Sequence, residues 1–311
     1  MVDVTGDNVA AIDCGTNSTR LLIADRRGRT LARYTRITRL GQGVDSTGRL
    51  DGEAIERTVS ALASYRAAMD ELGVDRARLI ATSAARDAMN YTQFVEAVQR
   101  TTGIAVEILD GEEEGSLAFA GATSELTHGS GPFLVLDIGG GSTELVVGDG
   151  SPSGVVSLNM GCVRLTERFL HHDPPSLSEL ESAASEVERQ LDVAGSKLHL
   201  GTADRGSLAL VGLAGTVSTL ASLHQGLVTY DRDRVHHSVL TIDTVARLLG
   251  ELSAQDLTTR RALRGMDPAR ADVIVGGAMI LAAAMRKFGL GECLVSEADI
   301  LDGLVSSIVR D

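Results

Sequence analysis

Residues 11–25 read AIDCGTNSTRLLIAD, and residues 135–149 read VLDIGGGSTELVVGD. The two stretches align without gaps at an offset of 124 residues. Asp13 falls on Asp137, Gly15 on Gly139, Ser18 on Ser142, Thr19 on Thr143, Leu21 on Leu145 and Asp25 on Asp149. So many identities in so short a window, flanked by matching apolar runs, predict a chain built from two halves on one plan. In each copy an apolar run (9–12; 133–136) leads into a cluster of Gly, Asn, Ser and Thr, and a second apolar run (21–24; 145–147) leads out. That pattern predicts a β-hairpin whose turn carries exposed amides and hydroxyls.

Outward from the first hairpin, 51–72 is amphipathic. Ile55, Val59, Leu62, Met69 and Leu72 share one face and Gly73 is the stop signal. Short strands are expected at 79–82 and 104–109, and a helix just after Gly111. The second half predicts helices near 176–194, 215–224, 241–253 and 268–288, the last opening at Asp267-Pro268 and closing at Gly289. A final helix over about 299–310 is able to pack on either half. Such alternation of strands and helices argues an α/β fold. The segment 123–132 (TSELTHGSGP) is the most linker-like, which divides the chain into domains 1–126 and 127–311.

With 311 residues the chain has room for two domains of ordinary size. Hydrophobic residues at 43% and charged residues at 23% give the balance of a soluble globular protein. Aromatics at 3%, with no Trp, leave the core to Leu, Val, Ile and Ala. A net charge of −13 argues against a nucleic-acid-binding surface. It leaves room for an anionic substrate held locally by backbone amides, a few arginines and a divalent cation. Cys14, Cys162 and Cys293 are scattered and read as reduced thiols of a cytoplasmic protein. The N-terminus shows no signal peptide. The longest apolar run, 273–285, lies between Asp272 and Arg286 and is shorter than the roughly 18 residues of a membrane span. A buried helix is expected there, and no membrane association.

The two turns carry the candidate chemistry. Small residues let backbone N–H groups converge on an anion, as at Gly139, Gly140 and Gly141; Asn17, Ser18 and Thr19 add side-chain donors in the first copy. Asp13 and Asp137 end their strands beside these turns, where carboxylates suit a hydrated Mg²⁺. Glu144 lies two residues after Ser142, on the same strand face, and is a further metal ligand candidate. The plain alternative is a pair of hairpins with Asp and Gly chosen for turn chemistry; the in-register duplication favours a phosphate site. Glu112, Glu113 and Glu114 open a helix, where the macrodipole alone accounts for them. The functional alternative is a general base, and the residues by themselves do not choose among the three. Arg86 and Arg164 are either phosphate clamps or helix-end arginines. Gly215 follows an apolar strand and opens a helix, which offers an anion pocket or a plain strand-to-helix turn. His236 and His237 adjoin a strand, where neighbours face opposite ways, so they make a poor metal pair and take no role. Nothing near Cys14 marks it as a nucleophile.

AIDCGTNSTRLLIAD, ATSAARDA, ILDGEEEGSLAF, VLDIGGGSTELVVG, NMGCVRLTERF, GLAGTVSTLA and RADVIVGGAMILAAAMRKFG occur in that order. Together they resemble the exopolyphosphatase/guanosine pentaphosphate phosphohydrolase family of the actin, Hsp70 and sugar-kinase superfamily, over nearly the whole chain. The resemblance implies two RNase H-like domains related by duplication and facing across an interdomain cleft, with phosphate loops 13–19 and 137–143. It implies Glu114 as the catalytic base, with Glu113 beside it. Phosphate contacts fall to Gly15, Thr16, Asn17, Ser18, Arg86, Gly139, Gly140, Gly141, Ser142, Thr143 and Gly215, with Arg164 secondary. Mg²⁺ or Mn²⁺ falls to Asp137, Glu144 and Asp13. The implied activity is release of terminal orthophosphate from inorganic polyphosphate, with short chains favoured. The alternatives are 5′-phosphohydrolysis of guanosine pentaphosphate, a guanosine-nucleotide-binding regulator with little turnover, and a phosphotransferase of the sugar-kinase type. A homodimer is expected from the family. Two departures matter. Gly115-Ser116 stands where many members have Ala-Arg, removing a positive charge beside the base. Long members also carry a C-terminal helical region of HD type; this chain ends at residue 311, like the short actinobacterial forms, so strong processivity is not expected.

Overall fold

In the computed structural model, which describes residues 7–126, 131–200 and 208–310, the first hairpin is the antiparallel pair β1 (Asn8–Cys14) and β2 (Ser18–Ala24). The linker-like stretch 123–132 lies in part, at 127–130, outside the described residues. β3 (Thr30–Ile37) continues the hairpin antiparallel to β2. After α1 (Val44–Thr47) and α2 (Gly52–Glu71), β4 (Val74–Ala81) returns parallel to β1. Then come α3 (Ser83–Asp87), α4 (Tyr91–Thr102), β5 (Val106–Ile108) and α5 (Gly111–Thr123). The sheet order is β3-β2-β1-β4-β5.

The second copy begins with β6 (Phe133–Ile138), β7 (Thr143–Asp149) and β8 (Ser151–Leu158). α6 (Cys162–Phe169), α7 (Leu177–Lys197), β9 (Ala209–Leu213), α8 (Ala214–Gln225), α9 (Arg232–Val235) and β10 (Val239–Thr241) follow. α10 (Ile242–Ser253), α11 (Leu257–Arg261), α12 (Ile274–Phe288), β11 (Glu292–Val295) and α13 (Ile300–Arg310) complete the chain. Its sheet order is β10-β11-β9-β6-β7-β8. Read from the β8 edge, the first five strands repeat the order of the other sheet, and β10 is an added edge strand. The duplication seen in the two turns therefore extends through both sheets of this α/β fold.

The chain divides into two units, Met1–Gly121 with Ile300–Asp311, and Ala122–Asp299. In the first unit β1 is central and buried, which explains its nearly continuous apolar sequence. Leu62, Tyr65 and Met69 of α2 and Phe94 and Val98 of α4 pack on Ala10, Ile12 and Cys14. α13 lies against β1, β2 and β4, so the last helix completes the first unit. The second unit is built around α12, whose residues other than Arg286 and Lys287 are buried and which packs on α6, α7, α8 and α10. Among the described residues no helix is long and apolar enough to cross a membrane.

Local chemistry sets the helix ends. Asp51 caps α2 by accepting from the N–H groups of Glu53 (2.9 Å) and Ala54 (3.2 Å). Ser176 and Glu179 form a capping box at the start of α7. Two expected boundaries move: β4 starts at Val74 rather than 79, and α12 starts at Ile274 rather than near 268. The Asp267 carboxylate accepts from Ala269 N–H at 3.0 Å, and successive turns close from Arg270 to Asp267 and from Val273 to Arg270. This side-chain turn competes with helix initiation over those residues.

Candidate active site

The β1–β2 turn is held from behind. Gly15 N–H donates to Ser18 O at 3.0 Å. Thr38 and Arg39 N–H both donate to Asn17 O, and Gly41 N–H donates to Thr16 O at 2.9 Å. Thr16 and Asn17 are buried. Yet Thr16 Oγ1, Asn17 Nδ2 and Ser83 Oγ of α3 have no hydrogen-bond partner among the described residues. An unsatisfied buried polar group costs about 1–3 kcal/mol. Three of them, at one turn and a helix start, are polar groups that an anionic ligand would satisfy.

The structure separates the three glutamates. Asp110 Oδ1 accepts from Glu112 and Glu113 N–H, both at 2.9 Å, and Glu113 Oε2 accepts from Asp110 N–H at 3.3 Å. Glu113 is thus spent on the helix cap, and Glu112 is exposed. Glu114, one residue further round the turn, is 9% exposed. Arg86 Nη1 donates to Glu114 Oε2 at 3.3 Å and to Leu109 O at 2.8 Å, which fixes the guanidinium beside the carboxylate. α3 and α5 therefore bring together the arginine and the one inward-facing glutamate.

In the second unit, Asp137 and Glu144 are direct cross-strand partners in the β6–β7 ladder. They are 8% and 1% exposed, and Ser157 Oγ of β8 donates to Glu144 Oε1 at 2.8 Å. Two carboxylates opposite one another in a buried setting repel, and a hard divalent cation with oxygen ligands offsets that repulsion. The donor set fits Mg²⁺ or Mn²⁺. In the first unit the same two positions carry Asp13 and Arg20, also cross-strand partners. Arg20 donates to Asp13 Oδ2 from Nε at 3.0 Å and Nη2 at 2.7 Å. The repeat thus holds a neutral ion pair in one copy and an acidic pair in the other. Asp13 is the counter-ion of Arg20, whereas Asp137 and Glu144 are a carboxylate pair with the oxygen donors that a divalent cation would take. Arg20 had no role in the sequence reading, although the offset of the repeat sets it on Glu144.

Gly139, Gly140, Gly141 and Ser142 form the β6–β7 turn. The start of α6 secures it: Cys162 N–H donates to Gly139 O, and Val163 and Arg164 N–H donate to Gly140 O at 2.9 and 3.1 Å. Thr143 Oγ1 donates to the Met160 carbonyl, so Thr143 supports the turn from inside. Arg164 is half-buried on α6. At the β9–α8 junction Ala214 adopts φ 65, and Gly215 follows. A Cβ on Gly215 would run into the Arg270 guanidinium, so the glycine admits that charge against the start of α8. Arg270 is a second residue the sequence reading left without a role; its signal was the RADV run at 270–273. Cys14, Cys162 and Cys293 are free and buried, and burial pushes each thiol up, with Asp13 adding to the effect at Cys14. None is a nucleophile in this state.

The histidines correct their sequence reading. His236 follows α9 as its C-cap and His237 adopts φ 59, so the alternation of a strand does not apply. Their rings stack with centroids 3.7 Å apart.

A sequence model of the Ppx/GppA phosphatase family matches residues 22–311. Exopolyphosphatase 2 of Mycobacterium tuberculosis is 43% identical over 320 residues, spanning 96% of this chain and 98% of that protein. A crystal structure of an exopolyphosphatase from Cytophaga hutchinsonii has a TM-score of 0.89 at 26% identity, over 97% of this chain and 98% of that one. The Aquifex aeolicus Ppx-GppA enzyme has a TM-score of 0.79 at 34% identity, over 98% of this chain and 99% of that one. Fold, repeated turns and relatives agree, and the chain belongs to the Ppx/GppA phosphatase family of hydrolases.

Proposed function

We propose that this chain is an exopolyphosphatase that releases terminal orthophosphate from inorganic polyphosphate with a divalent cation, Mg²⁺ or Mn²⁺. The buried, directly opposed pair Asp137 and Glu144 carries the reading. Glu114 takes the role of general base: it accepts a proton from water as the water oxygen bonds to the terminal phosphorus. The bridging P–O bond breaks, and the shortened chain leaves. Arg86 holds the Glu114 carboxylate in position. Thr16, Asn17 and Ser18 in one turn and Gly139, Gly140, Gly141 and Ser142 in the other bind phosphate oxygens. A cation held by Asp137 and Glu144 supplies charge neutralisation on those oxygens when bound. Buried free thiols support a reducing compartment, and the cytoplasm is the proposed location.

The test is orthophosphate release from short polyphosphate, long polyphosphate and guanosine pentaphosphate, with Mg²⁺ or Mn²⁺ and with a chelator. Cation-dependent release from polyphosphate is expected. Release from the nucleotide alone would reassign the substrate while keeping the chemistry. Nucleotide binding without release would make the protein a regulator, and loss of polyphosphate only with ADP would make it a phosphotransferase.

A further inference from the structure

Glu125, His236 and His237 form a cluster that the proposed hydrolysis does not use. Each offers one ligand atom, and the three atoms lie within 4.8 Å of one another. We propose that they bind a first-row transition-metal ion, with Zn²⁺ as the reference case.

The backbone presents both rings on one side. His236 N–H donates to Arg232 O at 2.8 Å, and His237 N–H donates to Val295 O at 2.7 Å. Ser238 and Val295 tie the segment to β11 through a further bond of 2.9 Å. Between these anchors His237 takes φ 59, a left-handed conformation uncommon for a residue with a Cβ. That turn stacks the two rings, and Glu125, two residues past α5, reaches His236 Nε2 at 2.7 Å.

Two imidazoles and a carboxylate, with water in the remaining position, form a ligand set for Zn²⁺, Ni²⁺ or Cu²⁺. Mg²⁺ prefers an all-oxygen set, so the two cation classes separate between this cluster and the Asp137–Glu144 pair. His236 Nδ1 accepts from Glu297 N–H at 3.0 Å, which sets the ring proton on Nε2 facing Glu125. Loading moves that proton to Nδ1, so the Glu297 amide bond is given up for the metal bond. The bound ion would brace the segment after α5 against the α9–β10 connection.

The test uses the full chain, stripped with a chelator and titrated with Zn²⁺ in excess Mg²⁺, which occupies the oxygen-ligand pair. His237→Asn keeps a residue that tolerates the left-handed backbone and removes the imidazole, and His236→Gln keeps a hydrogen-bonding group. One Zn²⁺ per chain is expected, with each variant weakening binding by about tenfold or more. Cu²⁺ bound to the wild type should show hyperfine coupling to two imidazole nitrogens by electron paramagnetic resonance, and to one in His237→Asn. Unchanged Zn²⁺ affinity in both variants, no uptake by the wild type at micromolar Zn²⁺, or a copper spectrum without nitrogen coupling would overturn the proposal.

Discussion

Glu144→Gln tests the meaning of the Asp137–Glu144 pair by separating stability from activity. The two residues are direct partners across an antiparallel ladder, where Cβ atoms lie about 4.5–5.5 Å apart. Two unit charges about 5 Å apart, at an effective dielectric of about 20, repel by roughly 3 kcal/mol. Glutamine has nearly the same shape, and its carbonyl oxygen accepts from Ser157 as the carboxylate does. In a chelator the variant should therefore be more stable than the wild type by up to about 3 kcal/mol. At roughly 2–4 °C per kcal/mol for a unit of this size, melting rises by up to about 6–12 °C. Mg²⁺ should raise the melting temperature of the wild type and leave the variant unmoved, because the cation then has one carboxylate rather than two. Scanning calorimetry across a Mg²⁺ series reads both effects, and phosphate release reads the loss of activity. A variant that melts below the wild type in chelator would refute the reasoning, as would an equal response to Mg²⁺.

Other consequences follow from the same geometry. Arg20→Ala leaves Asp13 buried without its counter-ion and should cost about 3–5 kcal/mol by urea denaturation, most of it recovered by adding Asp13→Asn; a loss well under 1 kcal/mol would mean that water reaches the carboxylate. Gly303→Ala in α13 sets a Cβ against the Leu117 carbonyl of α5 and should cost about 1–3 kcal/mol, with kcat falling because α5 carries Glu114. Unchanged stability and kcat would show that the two helices separate freely. Burial pushes the Tyr65 hydroxyl up to about 12, and it donates to Thr19 O at 2.8 Å. The folded state prefers the neutral phenol, so this stabilisation is complete below the ordinary tyrosine value of about 10 and is lost as pH rises toward about 12. Tyr65→Phe should flatten the alkaline loss of stability in that window, as read by denaturation at successive pH values.

Much of the fold was legible because the decisive pattern was doubled. A single Asp-Gly turn between apolar runs fits any hairpin, whereas two copies at a constant offset also imply the repeated sheet order. The α12 boundary was less legible because Asp267-Pro268 reads as a helix start, and only the structure shows the Asp267 side chain closing a local turn instead. Within the site, Glu114 could not be told from Glu112 and Glu113 by composition. What separates them is rotation about the α5 axis and the use of Glu113 in the cap. Arg20 stood in plain view in the alignment of the two turns, but its meaning depends on which residues face each other across the ladder. For His236 and His237 strand alternation predicts rings on opposite sides, whereas the left-handed backbone at His237 sets them face to face.

The central claim is that Glu114 activates water for attack on a terminal phosphate. Its most direct test is the steady-state rate of Mg²⁺-dependent orthophosphate release from polyphosphate by Glu114→Gln. Glutamine still accepts from Arg86, so the site stays assembled while the base is removed. The account predicts a fall in kcat of roughly 10²- to 10⁴-fold with KM little changed. A kcat close to that of the wild type would contradict it.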